Sequence, residues 1–201
     1  MSETGKLETP LHYLRGARRD VADGAAGLIV EEVSPCVHLS LRGPTDSIEL
    51  TQALSSVVGL ELPDKPLSCQ RKGDARVFWQ GPTEWMLVLA GTDGQSLQDD
   101  LRRALAGANA GVIIDVTGGQ TLLRLAGSAV TQVLQKSCGY DFHPDNFPPG
   151  KCVQTTFAKA GALVARLEQD CIELLVRRSF CDYIGEWLLD AGAEFGVRIS
   201  D

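Results

Sequence analysis

Four groups of side chains in this chain have residue types that chemistry uses. Asp115, in Asp115-Val116-Thr117, is a carboxylate at the end of an apolar run. It can bind a ligand or satisfy the backbone of the turn that follows, and the turn is favoured because no second polar partner stands near it in sequence. Cys152 follows Lys151. A reactive thiol needs an exposed, electropositive setting, and one lysine is thin support, so a buried structural cysteine is favoured. His143 stands between Asp141 and Asp145, either of which would orient it as a base; the alternative is a histidine bonded to its own loop. Arg177-Arg178 precede a predicted helix start, where they would hold an anion or pair with an acidic partner chain; the second is favoured. No nucleophile–base pair emerges, and the six cysteines show neither C-x-x-C nor zinc-ribbon spacing.

The segment carrying His143 and Cys152, Cys138 to Thr155, holds Pro144, Pro148 and Pro149 among aromatic residues. Prolines remove donors and fix φ, so the run is a rigid loop rather than helix or strand. A shaped apolar loop without evident chemistry reads as a docking surface. Trp79 and Trp85 flank the turn Gly81-Pro82-Thr83 and are either core or interface anchors.

With 201 residues the chain needs no disulfide or metal staple, since about 70% of its surface can be buried at this size. A net charge of −7 and only short basic groups argue against a nucleic-acid partner. The polar start Met1–Pro10 has no signal-peptide core, and no apolar run reaches the ~20 residues that span a bilayer. Free cysteines without an export signal give a cytoplasmic expectation.

Residues 1–25 are polar and glycine-rich and are expected to form a mobile or partner-draped arm; a body spans 26–201. That body reads as two similar βαββα halves, about 26–110 and 111–201. The pairs Gly43/Gly127, Glu84/Glu173 and Ser96/Ser179 are each separated by roughly 85 residues, as a duplicated unit with altered loops would give. Ser96 and Ser179 are expected to cap helices. Leu50, Ala53, Leu54, Val57 and Val58 line one helix face; Phe180, Tyr183, Ile184, Trp187, Leu188 and Ala191 line another. The fold class is α+β, antiparallel sheet with packed helices. Gly118-Gly119 lacks the third glycine of a dinucleotide fingerprint and is read as a hairpin turn.

The string Asp115-Val-Thr-Gly-Gly-Gln-Thr-Leu-Leu-Arg-Leu-Ala-Gly-Ser-Ala129 resembles the folate-binding aminomethyltransferases, including the glycine cleavage T-protein. Trp79-x-Gly-Pro-x-Glu-Trp85-Met-Leu, the Cys138–Thr155 loop and Arg178-Ser179-Phe180 leading to Glu194-Phe195-Gly196 resemble the gamma subunit family of heterotetrameric sarcosine oxidase. The resemblance implies a T-protein-like fold without the C-terminal barrel. It also implies a structural role in a complex that demethylates sarcosine to glycine, with tetrahydrofolate accepting the carbon unit and hydrogen peroxide formed. By the same resemblance, alpha, beta and delta subunits are the partners and hold FAD, FMN, NAD, zinc and tetrahydrofolate. This chain then carries no catalytic residue and no metal. Asp115 becomes at most a vestigial folate contact, and Phe142, His143, Phe147, Pro148, Pro149, Arg177 and Arg178 become candidate interface residues, with the arm Leu7–Arg19 beside them. The alternative is a free-standing folate-binding aminomethyltransferase-like protein.

Overall fold

A computed structural model describes residues 8–20, 25–91, 94–106 and 111–200. Each half lays down strand, helix, three strands, helix. The first half contains β3 (Cys36–Arg42), α1 (Ile48–Val58), β4 (Cys69–Lys72), β5 (Ala75–Gly81), β6 (Glu84–Ala90) and α2 (Gly94–Ala104). The second contains β8 (Gln120–Ala126), α3 (Val130–Ser137), β9 (Lys151–Phe157), β10 (Ala160–Glu168), β11 (Cys171–Arg177) and α4 (Cys181–Ala191). Sequence pattern missed β4, because Cys69-Gln-Arg-Lys72 shows no apolar alternation.

The expected duplication has a feature that pattern alone did not give. β2 (Leu28–Val33) leads the first half but pairs antiparallel with β8 of the second. β7 (Val112–Asp115) leads the second half but pairs with β3 of the first. The halves therefore exchange their leading strands. The resulting sheets run β4-β5-β6-β3-β7 and β1-β12-β2-β8-β11-β10-β9, where β1 is Arg18–Arg19 and β12 is Val197–Ile199. One junction departs from the antiparallel rule: β12 runs parallel to β2. The turn at Gly118-Gly119 is accordingly no hairpin, since β7 and β8 lie in different sheets; it carries the chain from one sheet to the other.

Side-chain parity sorts the strands into four layers. Leu39, Leu41, Val77, Trp85 and Leu87 face outward to Leu50 and Leu54 of α1 and Leu97 and Leu101 of α2. Leu123, Leu125, Ile172 and Leu174 face Val133 and Leu134 of α3 and Ile184 and Leu188 of α4. The inner faces meet each other through Phe78, Met86, Val88, Leu122, Cys152, Leu163 and Leu175. Where β4 and β9 approach, Cys69 N–H donates to Gly150 O at 2.8 Å and Cys152 N–H to Leu67 O at 2.8 Å, joining the sheets along one edge.

Neither expected serine cap forms. Ser96 lies inside α2, and Ser179 belongs to a 3-10 turn, Arg178–Phe180, that feeds α4 without a side-chain cap. Ser47 does the work instead: its Oγ accepts from Leu50 N–H at 3.1 Å. The described part of the expected arm is also part of the body. Leu11 and Leu14 are buried in the core, Leu11 N–H donates to Glu32 Oε2 at 3.1 Å, and β1 pairs with β12. Its two leucines supply the reason, since their burial outweighs the polar composition around them. Residues 1–7 and 21–24 lie outside the described residues.

The inter-sheet layer also carries charge. Arg76 on β5 and Glu173 on β11 are both fully buried, with Nε–Oε distances of 2.8 and 2.6 Å. Arg124 approaches Glu173 at 3.6 Å and binds Glu31 at 2.9 Å. Removing one partner of such a pair strands a charge away from water, which costs about 3–5 kcal/mol. Arg76→Met and Glu173→Gln are each expected to lower unfolding free energy by that order. The double replacement Arg76→Met with Glu173→Leu is expected to cost less than the two single losses added, as urea unfolding in a double-mutant cycle would show.

Candidate functional site

The loop between α3 and β9 is held from inside. Phe142 and Phe147 are completely buried and meet edge-to-face at 5.1 Å, with Tyr140 5.2 Å from Phe142 and 5.7 Å from Phe147. These two phenylalanines, expected at an interface, are anchors within the chain's own core and cannot touch a partner. Apolar rings in a proline-fixed loop find the nearest apolar surface, and the helical face of the second sheet provides it. What remains outside is the rim: His143, Pro144, Pro148 and Pro149 are exposed.

His143 takes the role of a loop tie. Its N–H donates to Asp141 Oδ1 at 2.9 Å, and its Nδ1 accepts from Asp145 N–H at 3.3 Å. The His143 and Asn146 donors hold the Asp141 carboxyl below the usual carboxylate range. Asp115 behaves in the same way. Its Oδ1 accepts from Thr117 N–H at 2.8 Å, and Thr117 is the main cause of its lowered pKa. That is an Asx turn at a strand end. Cys152 is buried and its thiol donates to Ser68 O at 3.2 Å. Its contact and burial push the neighbouring Cys69 thiol up. Trp85 is fully buried, donating Nε1–H to Pro63 O at 2.9 Å, and pairs across the hairpin with the half-buried Trp79. Both tryptophans pack under the helices, so the core reading holds.

Arg177 and Arg178 diverge from the last strand of the second sheet. Arg178 Nη2 donates to Glu8 O at 2.5 Å, tying the N-terminal segment down. Among the described residues Arg177 has no hydrogen-bond or ion-pair partner; it reaches a polar recess of about 300 Å³ shared with Gln80, Glu84, Gln120 and Gln154. On the other side Arg178 borders an open basin of about 610 Å³ with His12, Tyr13 and Asp182. The structure thus brings Arg178 to the N-terminal segment and leaves the loop rim and Asp115 as separate features. Among the described residues, no cluster of three His, Cys, Asp or Glu could hold a metal.

One polar residue that sequence reasoning passed over is His38. It is 2% exposed, and neither ring nitrogen has a hydrogen-bond partner among the described residues. It lines a cavity of about 170 Å³ bordered by β2, β3 and β8, with Glu32, Cys36, Thr121 and Arg178. Only inward-facing parity on β3 signalled it, since His38 alternates with Val37 and Leu39.

Among the described residues, Asp115 and Asp141 are tied to turns, the Cys152 thiol is buried and both tryptophans are packed, while the exposed features include a shaped loop rim and the Arg177 side chain. The two exchanged halves define a duplicated body of aminomethyltransferase-type fold. The fold itself is shared with glycine cleavage aminomethyltransferase T from Bartonella henselae (TM-score 0.62, 16% identity), covering 87% of this chain and 48% of that one. The chain matches the sarcosine oxidase gamma subunit family over residues 42–194, and it belongs to that family. It is 32% identical to the sarcosine oxidase subunit gamma of Corynebacterium sp. (strain U-96) over 87% of this chain and 83% of the relative. The corresponding protein of Corynebacterium sp. (strain P-1) is 34% identical over 97% and 94%. A chain of the heterotetrameric sarcosine oxidase from Corynebacterium sp. U-96, solved with pyrrole 2-carboxylate, superposes with a TM-score of 0.82 at 30% identity, covering 94% and 96%.

Burial lowers the pKa of His38 from 6.5 to about 4, with Asp115 acting weakly the other way. Unfolding returns the ring to water, so the unfolded chain binds the proton more tightly than the folded one. The stability from keeping His38 neutral is fully present above about pH 6.5 and is lost as pH falls towards 4. The loss is on the order of 3 kcal/mol. His38→Gln is expected to remove this part of the slope in urea unfolding between pH 7 and 4; an unchanged slope would assign the acid sensitivity elsewhere.

Proposed function

We propose that the chain is the non-catalytic structural subunit of a heterotetrameric sarcosine oxidase. The complex oxidatively demethylates sarcosine to glycine, passes the one-carbon unit to tetrahydrofolate and forms hydrogen peroxide. FAD, FMN, NAD, zinc and tetrahydrofolate belong to the alpha, beta and delta partner subunits, and the assembly works in the cytoplasm. The observation that carries this reading is the likeness, over nearly the full length of both chains, to a chain of a heterotetrameric sarcosine oxidase. In the described residues no helix is long and apolar enough to cross a membrane.

The chain acts by holding its partners in place. The exposed rim His143, Pro148 and Pro149, stiffened by the buried Phe142 and Phe147, offers a surface that loses little conformational entropy on docking. Arg177 offers a planar cation to a carboxylate of a partner subunit, and Arg178 extends the same edge.

Co-expression of a tagged chain with the neighbouring oxidase subunits is expected to yield a large complex with flavin absorbance and sarcosine-dependent peroxide production. Arg177→Glu, which leaves the core untouched, is expected to weaken that assembly roughly tenfold or more. A colourless monomer that binds tetrahydrofolate, and loses it on Asp115→Ala, would overturn the proposal in favour of a free-standing aminomethyltransferase-like protein.

A further inference from the structure

The end of a sheet is a row of unpaired backbone donors and acceptors, and three of the four ends in the described sheets are provided for. β4 and β9 close on each other through the Cys69–Gly150 and Cys152–Leu67 bonds and the Ser68–Lys151 bridge. β1 is two residues long, and both are exposed arginines, a short charged edge that resists pairing. The fourth end is β7, which lies beyond β3 in the five-stranded sheet, and among the described residues nothing pairs with its outer side.

β7 carries none of the usual guards against pairing. Val112–Asp115 has no proline, lysine or arginine, and its first three residues are β-branched, suited to an extended backbone. Its one charge, the Asp115 carboxylate, is turned back on Thr117 N–H. Ile113 packs among the leucines of α1 and α2, while Val112 and Ile114 point to the other face and are 57% and 40% exposed. The register fixes which backbone groups are free. Val116 N–H donates to His38 O at 2.9 Å, so by antiparallel alternation the Ile114/Ser40 and Val112/Arg42 pairs are also bonded to β3. The N–H and C=O groups of Ile113 and Asp115 then point away from β3, spaced as a further strand needs them.

Given the chain's place as a subunit of a heterotetrameric oxidase, we propose that an extended segment of a partner subunit adds to β7 as the sixth strand of this sheet. Backbone bonds to Ile113 and Asp115 hold the segment, and its apolar side chains at alternate positions cover Val112 and Ile114. The edge is continuous with the Arg177 surface: Val112 lies beside Arg42, which binds Glu84 at 2.9 Å, and Glu84 borders the recess that Arg177 reaches. A second copy of the chain is the poorer occupant. Four residues make an edge of about 13 Å, a small part of the roughly 800 Å² that each side of a stable complex buries. A homodimer built on that edge alone is too small to persist, whereas a partner also held at Arg177 gains the strand as one contact among several.

The test compares amide hydrogen exchange in the full chain alone and in the complex co-expressed with the oxidase subunits. On assembly, exchange within residues 112–116 is expected to slow roughly tenfold or more. Ile114→Lys is expected to weaken assembly roughly tenfold or more while leaving the Tm of the free chain unchanged, and Ile114→Val to assemble like the parent. Should the lysine variant fail to fold, Val112→Lys, at the more exposed position, takes its place. A parent chain that forms no complex would overturn the subunit reading and the strand pairing with it. A parent complex in which residues 112–116 exchange as in the free chain, or which the lysine variants form equally well, would overturn the strand pairing alone. Exchange that slows in the free chain as its concentration rises would overturn it in favour of a second copy.

Discussion

The architecture turns on the buried contact between Arg76 and Glu173. Two sheets packed face to face by apolar side chains alone can slide, since dispersion and hydrophobic burial have little directional preference. A guanidinium held by both oxygens of one carboxylate has a strong one. Arg76 belongs to the first sheet, and Glu173, Arg124 and Glu31 form a cross-strand row on the second, in register along β11, β8 and β2. Alternating charges along that row let Glu173 and Arg124 each be paired twice, which offsets desolvation that a lone pair would not recover. Arg76 Nη1 further donates to Asp74 O at 2.7 Å, fixing the ring of donors to the β4–β5 turn.

Strand exchange makes that register obligatory. β2 and β7 each leave their own half and complete the other's sheet, so neither half has a finished core without its counterpart. The crossing points demand glycine. A Cβ on Gly127 would lie 2.3 Å from Gly27 O, and one on Gly111 would lie 2.2 Å from Arg42 O, both with positive φ. The same crossing is met from opposite sides: Gly111 precedes the exchanged β7 and meets the end of its host β3, while Gly127 follows the host β8 and meets the residue before the exchanged β2. The spacing of the glycines in the sequence is thus the trace of the same crossing built twice.

Much of this was legible before any coordinates. Periodicity placed the four helices, because Leu50/Leu54 and Ile184/Leu188 repeat at helical spacing beside long apolar strands. The pairs Gly43/Gly127, Glu84/Glu173 and Ser96/Ser179 revealed the duplication. The exchange was not legible, since β2 and β7 look the same whichever sheet they join. The serine caps failed because Ser96 lies inside α2 and Ser179 inside the 3-10 turn before α4, and tertiary position decides which hydroxyl meets a free amide. Phe142 and Phe147 were misplaced because an aromatic residue in a proline-rich loop reads alike as anchor or as lure. His38 and Arg76 escaped notice as site residues because each is a polar residue inside an apolar strand, and the Glu173 that pairs with Arg76 lies on a distant one.

The same facts show where several polar groups of this fold are used. Its carboxylates and its loop histidine are spent on turns, Asp115 on Thr117 and Asp141 on the His143 segment, and its tryptophans on packing. Polar groups committed to holding loops still are unavailable for proton transfer. They do provide a stiff surface, which is what a partner needs if its own sites must keep a fixed separation. The loop rim is stiff because Phe142 and Phe147 pull it inward, and the Arg177 edge is stiff because β11 carries Glu173 into the ion-pair row four residues earlier. Both places are therefore coupled to the inter-sheet layer, and the buried charge that fixes the packing of the sheets also fixes the separation of these two surface features.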